Sequence, residues 1–153
     1  MKWIALVLAL PFLLIAGGLL LNRPPLLLPP GPLERLKTYL TTNVAETQVD
    51  HEFPDLRPLL VPTGIEQTRE VVLTAVRSLG WGEVPVMEGE IRAVVASPLL
   101  GFQDDVTVRL EKVGSGTLLH ARSASRVGKG DLAANARHLQ QLFAEVKRLA
   151  VSP

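Results

Sequence analysis

Cysteine is absent from the chain. That absence removes disulfide frameworks, thiolate nucleophiles, cysteine-based zinc sites and a lipid-modified N-terminal cysteine. An exported domain without disulfides has only its core to hold it. Aromatic residues are also scarce, at 5% of the sequence, so that core must be built from Leu, Val and Ala. Neither sign of charge dominates: Lys and Arg number 16 and Asp and Glu 15, and setting aside Lys2 balances the remainder. A general nucleic-acid binder carries a clear basic surplus, so nucleic acid is not expected as a partner. The histidines His51, His120 and His138 lie far apart and in no H-x-x-x-H or H-x-E setting, so neither a metal nor a cofactor is expected. Asp50-His51-Glu52 is a local cluster that reads as solvated loop charge.

What is abundant is apolar and concentrated at the start. Trp3 to Leu21 is a run of 19 residues without a charge, and it accounts for a positive mean hydropathy of +0.25. At about 1.5 Å rise per residue such a run approaches the ~30 Å hydrocarbon thickness of a bilayer. Pro11 and Gly17-Gly18 are tolerated in membrane spans. Residues 1–22 are therefore expected to be a transmembrane anchor, the alternative being a cleaved signal peptide. An export-type anchor places the domain outside the cytoplasm, in the cell envelope, with the membrane as partner through this helix.

Asn22 to Pro32 holds five prolines in eleven residues and reads as a semi-rigid spacer. Leu33, Leu36 and Leu40 suggest a short amphipathic helix, which completes a linker over 23–40. A globular domain over 41–153 follows. One domain of ordinary size fits this length. "LRPLLV" suggests a first edge strand. Thr63 and Glu66 have capping-box spacing, Ile65, Val71, Val72, Ala75, Val76 and Leu79 make one helical face, and Gly80 ends that helix. Four strands follow: "GEVPVM", "IRAVVAS", "DVTVRLEKV" and "TLLHARSAS", the first two joined through Glu88-Gly89-Glu90. A helix from about Asp131 to Ala150 closes the domain, with Leu132, Ala136, Leu139, Leu142, Phe143, Val146 and Leu149 as its buried stripe. The order strand, helix, four strands, helix gives a two-layer α+β fold with an antiparallel sheet of four to five strands, plus the N-terminal transmembrane helix.

Ser115-Gly116, taken as a two-residue turn, sets the register of the last hairpin. Val106, Val108 and Leu110 then lie beside Ser125, Ser123 and Ala121 on the core face, while Glu111 meets His120, Arg109 meets Arg122, and Asp105 meets Arg126. Asp104 points inward and needs donors, which Ser123, Ser125 and the amides near Gly130 and Asp131 offer. The segment from Arg122 to Asp131 supports three readings. An anion cradle would use Gly128-Lys129-Gly130, although the spacing matches no phosphate fingerprint and Asp131 competes for the helix amides. A catalytic corner would use Ser123 or Ser125 with His120 or His138 and Asp104, although no nucleophile elbow surrounds either serine. A structural corner would only fix how the last strand turns into the last helix.

"GFQDDVTVRL" with "RSASRVGKGDLAANARHLQQL" resembles a bacterial and plant family, the domain of unknown function 1499 family. The positions that carry the resemblance are Gly101, Phe102, Asp104, Asp105, Val106, Arg122, Ser123, Ala124, Ser125, Arg126, Gly128, Asp131, Leu132 and Asn135. Asn43 or its neighbour stands where that family places a cysteine, so a thiol-dependent role would not transfer. The resemblance implies the extent of the fold and not a mechanism. The expected function is a membrane-anchored, exported, non-catalytic module of the cell envelope that is structural or binds an apolar small molecule or a protein partner. The corner residues Asp104, Asp105, Arg122, Ser123, Ser125, Arg126, Gly128, Asp131 and Asn135 are expected to be structural. The alternative is an enzyme or anion site built on Asp104, Ser125 and Arg126. An apolar ligand would occupy space between sheet and last helix lined by Val106, Val108, Leu139 and Phe143.

Overall fold

The structure, a computed structural model, describes residues 2–87, 89–97 and 101–151, with backbone alone over 2–8 and 83–87. The Glu88 part of the expected first hairpin connection lies outside the described residues. In chain order the elements are α1 (Lys2–Asn22), α2 (Pro32–Thr41), β1 (Val44–Glu46), a 3-10 turn (Pro54–Leu56), β2 (Leu59–Val61), α3 (Ile65–Ser78), β3 (Gly82–Met87), β4 (Glu90–Ala96), β5 (Gln103–Val113), β6 (Gly116–Ser125) and α4 (Ala134–Val151). The sheet is antiparallel, in the order β1-β6-β5-β4-β3. β2 pairs with the other half of β6, along the same edge as β1, so six strands occupy five rows.

Alternation along the strands decides which face is covered. Ile91 and Ala93 of β4, Val106 and Val108 of β5, and Leu119 and Ala121 of β6 are buried together with Val72, Val76, Leu139, Leu142 and Val146 of α3 and α4. The opposite face carries paired charges, with Glu46 beside Arg109 at 3.9 Å and Arg122 at 3.6 Å, and Glu111 beside His120 at 3.2 Å. Exposed pairs of this kind add little stability; they keep that face soluble.

Among the described residues no helix is long and apolar enough to cross a membrane. This overturns the expected N-terminal transmembrane helix. The last turn of α1 is committed to the domain: Asn22 Nδ2 donates to the Leu132 carbonyl at 2.8 Å and Arg137 Nη1 to the Leu21 carbonyl at 2.6 Å. Gly18 lies so close to the Leu132 side chain that a Cβ there would overlap it.

The stretch read as linker holds the most deeply buried cation among the described residues. α2 forms where its leucine spacing suggests, yet Leu33 is 76% exposed, and the helix buries Arg35 and Tyr39 instead. Arg35 donates to the Leu28 and Pro29 carbonyls at 3.1 and 2.8 Å, to Tyr39 Oη at 3.0 Å, and to both oxygens of Asp55 at 2.5 and 3.3 Å. Its guanidinium lies 4.3 Å from the Phe53 ring centroid, and Gln140 Nε2 completes the Asp55 carboxylate at 2.8 Å. A buried charge survives only with partners on every side, and these supply them.

Two local expectations are corrected. Gly64, not Thr63, caps α3, with no side-chain bond, and the Thr63 hydroxyl meets Thr68 Oγ1 at 2.8 Å instead. The last hairpin turns at Gly114-Ser115, with Val113 opposite Gly116, because Gly114 adopts φ 58 in the left-handed region that only glycine enters freely. The register moves by two residues, which preserves faces. Val106 faces Ser123, Val108 faces Ala121, and Leu110 faces Leu119. Val106, Val108, Leu139 and Phe143, expected to line an apolar ligand space, belong to one core cluster of buried residues.

Candidate functional site

Asp131, Leu132 and Ala133 turn the chain from β6 into α4. Leu132 and Ala133 take φ 52 and 70, a conformation that costs non-glycine residues about 1 kcal/mol or more each. Hydrogen bonds hold them there. Asp131 accepts from the Ala133 amide at 2.9 Å and the Asn135 amide at 3.0 Å, and the Leu132 amide donates to the Tyr39 carbonyl at 3.0 Å. Burial pushes the Asp131 carboxyl up from its ordinary value, against the pull of the Asn135 and Ala133 bonds.

Asn135, fully buried, ties this turn to the sheet. Its Nδ2 faces the Asn43 carbonyl at 2.8 Å, Ser125 Oγ at 2.8 Å and Asp131 Oδ2 at 2.7 Å, while its Oδ1 accepts from Ser123 Oγ at 2.5 Å. Asn43 closes the circuit by donating to the Gly128 carbonyl at 2.7 Å. Gly130 is pressed against the Leu40 carbonyl, where no Cβ would fit, and Gly128 takes φ 96. Asp131 occupies the Ala133 and Asn135 amides, which an anion at this helix start would need.

The residues of the alternative site do not assemble. Arg126 points outward and chelates Asp105 through Nε at 2.9 Å and Nη2 at 2.6 Å, with Gln103 Oε1 also bonded to Nη1. The Arg126 hydrogen bond holds the Asp105 carboxyl below its ordinary value. Ser125 belongs to Asn135, and Arg122 to Glu46. Asp104 is buried as expected and stands opposite Ser125 in the register, but that hydroxyl bonds Asn135, and the Asp104 Oδ2 lies 3.6 Å from His138 Nδ1.

His138 Nδ1 is also 3.3 Å from Ser123 Oγ. The single Ser123 hydrogen goes to Asn135 Oδ1, so at His138 the hydroxyl accepts. Nδ1 is then the protonated nitrogen, donating to Ser123 with the Asp104 carboxylate at ion-pair distance, and Nε2 keeps its lone pair. Burial favours the neutral ring and pushes His138 below its ordinary value of 6.5, while the Asp104 charge opposes that shift. A serine–histidine–aspartate relay divides base and orienter between the two ring nitrogens. Here both sit on Nδ1, and Ser123 has no exposed surface.

Asp104 and His138 form one wall of a cleft of about 650 Å³. Ala134, Arg137, His138 and Gln141 line it from α4 at helical spacing, and Val94 to Ser97, with Gln103, line it from the sheet. Trp81 lines the cleft beside His138, and a specific stop of α3 puts it there. The Gly80 amide donates to the Arg77 carbonyl and the Trp81 amide to the Val76 carbonyl, the paired bonds of a Schellman motif, with Gly80 at φ 70. Trp81 meets His138 edge to face at 5.9 Å between centroids. Among the described residues no three His, Asp or Glu side chains gather as a metal set.

A two-layer α+β domain, locked between its last strand and last helix by a serine–aspartate–asparagine corner, is the class these features define. The chain belongs to the family described as protein of unknown function (DUF1499), whose model matches residues 35–146. That span opens on the buried Arg35 and ends at the buried Val146. A comparison with curated proteins finds no match.

Proposed function

We propose that this chain is a non-catalytic binding module whose ligand site is the Trp81–His138–Asp104 cleft. The observation that carries this reading is the cleft itself: it joins an aromatic wall to a carboxylate and an imidazole, while the hydroxyl beside them is sealed. Concave sites with a few convergent polar groups are where small molecules bind. The corner motif serves this site from behind, since Asn135 fixes Ser123 and Ser123 fixes the His138 ring.

The test is native mass spectrometry of the full chain, beside Gln141→Trp, which places an indole in the cleft from α4, one turn beyond His138. A retained small molecule on the wild type that the variant lacks supports the reading. Equal retention by both proteins, or chemical turnover of the eluted molecule on incubation with the protein, overturns it.

A further inference from the structure

We infer that the cleft takes a small organic cation bearing N–H donors, a primary ammonium or a guanidinium group. The inference rests on the proposed binding function and adds the ligand's chemistry. Three features of the walls point the same way.

Asp104 supplies a carboxylate that is 6% exposed, and among the described residues no Lys or Arg lies within ion-pair distance of it. Its ion-pair neighbour, His138, gives its Nδ1 proton to Ser123 and is left with Nε2 as an acceptor. The wall therefore offers two acceptors and calls for donors from the ligand. Trp81 adds an aromatic surface, which attracts cations through its quadrupole.

The cation in the lining, Arg137, does not reverse this balance. Its Nη1 donates at 2.6 Å to the Leu21 carbonyl, in the last turn of α1, where the helix dipole is negative. The remaining polar lining, from Gln103, Gln141 and Ser97, is uncharged. A carboxylate ligand would face Asp104, and the one cation of the lining, Arg137, is already engaged at the Leu21 carbonyl.

A matched pair of probes, n-butylammonium and n-butyrate, tests the sign of the ligand. Binding is followed by Trp81 fluorescence in a Trp3→Phe background and by the His138 imidazole resonances of the full chain. Saturable binding of butylammonium, weakened about tenfold or more in Asp104→Asn and retained in Asp104→Glu, is the expected result, since a hydrogen bond to a charged group carries that much. Tetramethylammonium, which has no N–H, should bind more weakly. Butyrate binding in preference to butylammonium, or butylammonium affinity unchanged in a folded Asp104→Asn, overturns the cation while leaving the cleft a binding site. If no probe perturbs either reporter at millimolar concentration, both the cation and the site are overturned.

Discussion

Replacing Asn135 with alanine should unlock the corner. The carboxamide serves four partners: the Asn43 carbonyl, the Ser125 and Ser123 hydroxyls, and the Asp131 carboxylate. These partners are not equally hurt by its loss. Asp131 keeps two backbone amides, the Asn43 carbonyl keeps the Ser125 amide at 2.9 Å, and Ser125 is partly exposed and recovers water. Ser123 has no exposed surface, and its hydroxyl is left without its acceptor at 2.5 Å. Recoverable bonds cost about 0.5–1 kcal/mol each and a stranded buried hydroxyl about 1–3, for a total of about 3 kcal/mol. For a domain of this size that is about 10 °C in Tm. Urea unfolding of the full chain followed by circular dichroism measures it, with m unchanged. Ser123→Ala in the Asn135→Ala background should then cost about 1 kcal/mol less than Ser123→Ala alone. A loss below about 1 kcal/mol for Asn135→Ala, or strict additivity of the pair, would refute the lock.

Arg35→Met should cost roughly 3 kcal/mol, because it strands Asp55; the value sits at the low end for a buried pair since Asp55 is 14% exposed, and thermal unfolding reads it. Gly130→Ala should destabilise by forcing Leu40 and the corner apart, with a fall in Tm and no change in a Gly17→Ala control whose site is open. His138 has a folded-state value depressed below 6.5, so its contribution is complete above 6.5 and is lost as pH falls through the folded value. Stability of His138→Gln should therefore fall less steeply on acidification below 6.5 than that of the wild type, and parallel profiles would contradict this. Asp105→Asn should cost under about 1 kcal/mol at neutral pH, since both ion-pair side chains are about half exposed, and should remove an acid dependence that sets in as pH falls below 3.8.

The repeating elements were readable because burial imposes period. The α4 stripe from Ala136 onward, the β5 and β6 alternation and the Gly80 stop all follow from which side chains must leave water. Leu132, expected in that stripe, lies instead in the left-handed turn before the helix begins at Ala134. The hairpin register was off by two because two glycines flank Ser115, and only the φ of Gly114 tells which pair forms the turn. The faces survived since two residues preserve side, and so the Asp105–Arg126 ion pair still forms on the diagonal. Arg35 was unreadable. A lone arginine between prolines and leucines looks solvated, and its burial depends on Asp55 and Gln140, which are 20 residues or more away. The cleft was invisible for the same reason: Trp81, Asp104 and His138 meet only after α3, β5 and α4 have packed. The motif residues did signal order, but Ser123 and Ser125 looked like donors for Asp104 when both serve an asparagine.

The bond from Asn135 to the Asn43 carbonyl spans 92 positions of the chain. It works as a buckle: one strap is the strand before the sheet's long meander, the other the helix after it. Trimming the chain at either strap should loosen the opposite one, so the segment from Arg35 to Asn43 is as much a fastening of the final helix as that helix is of itself.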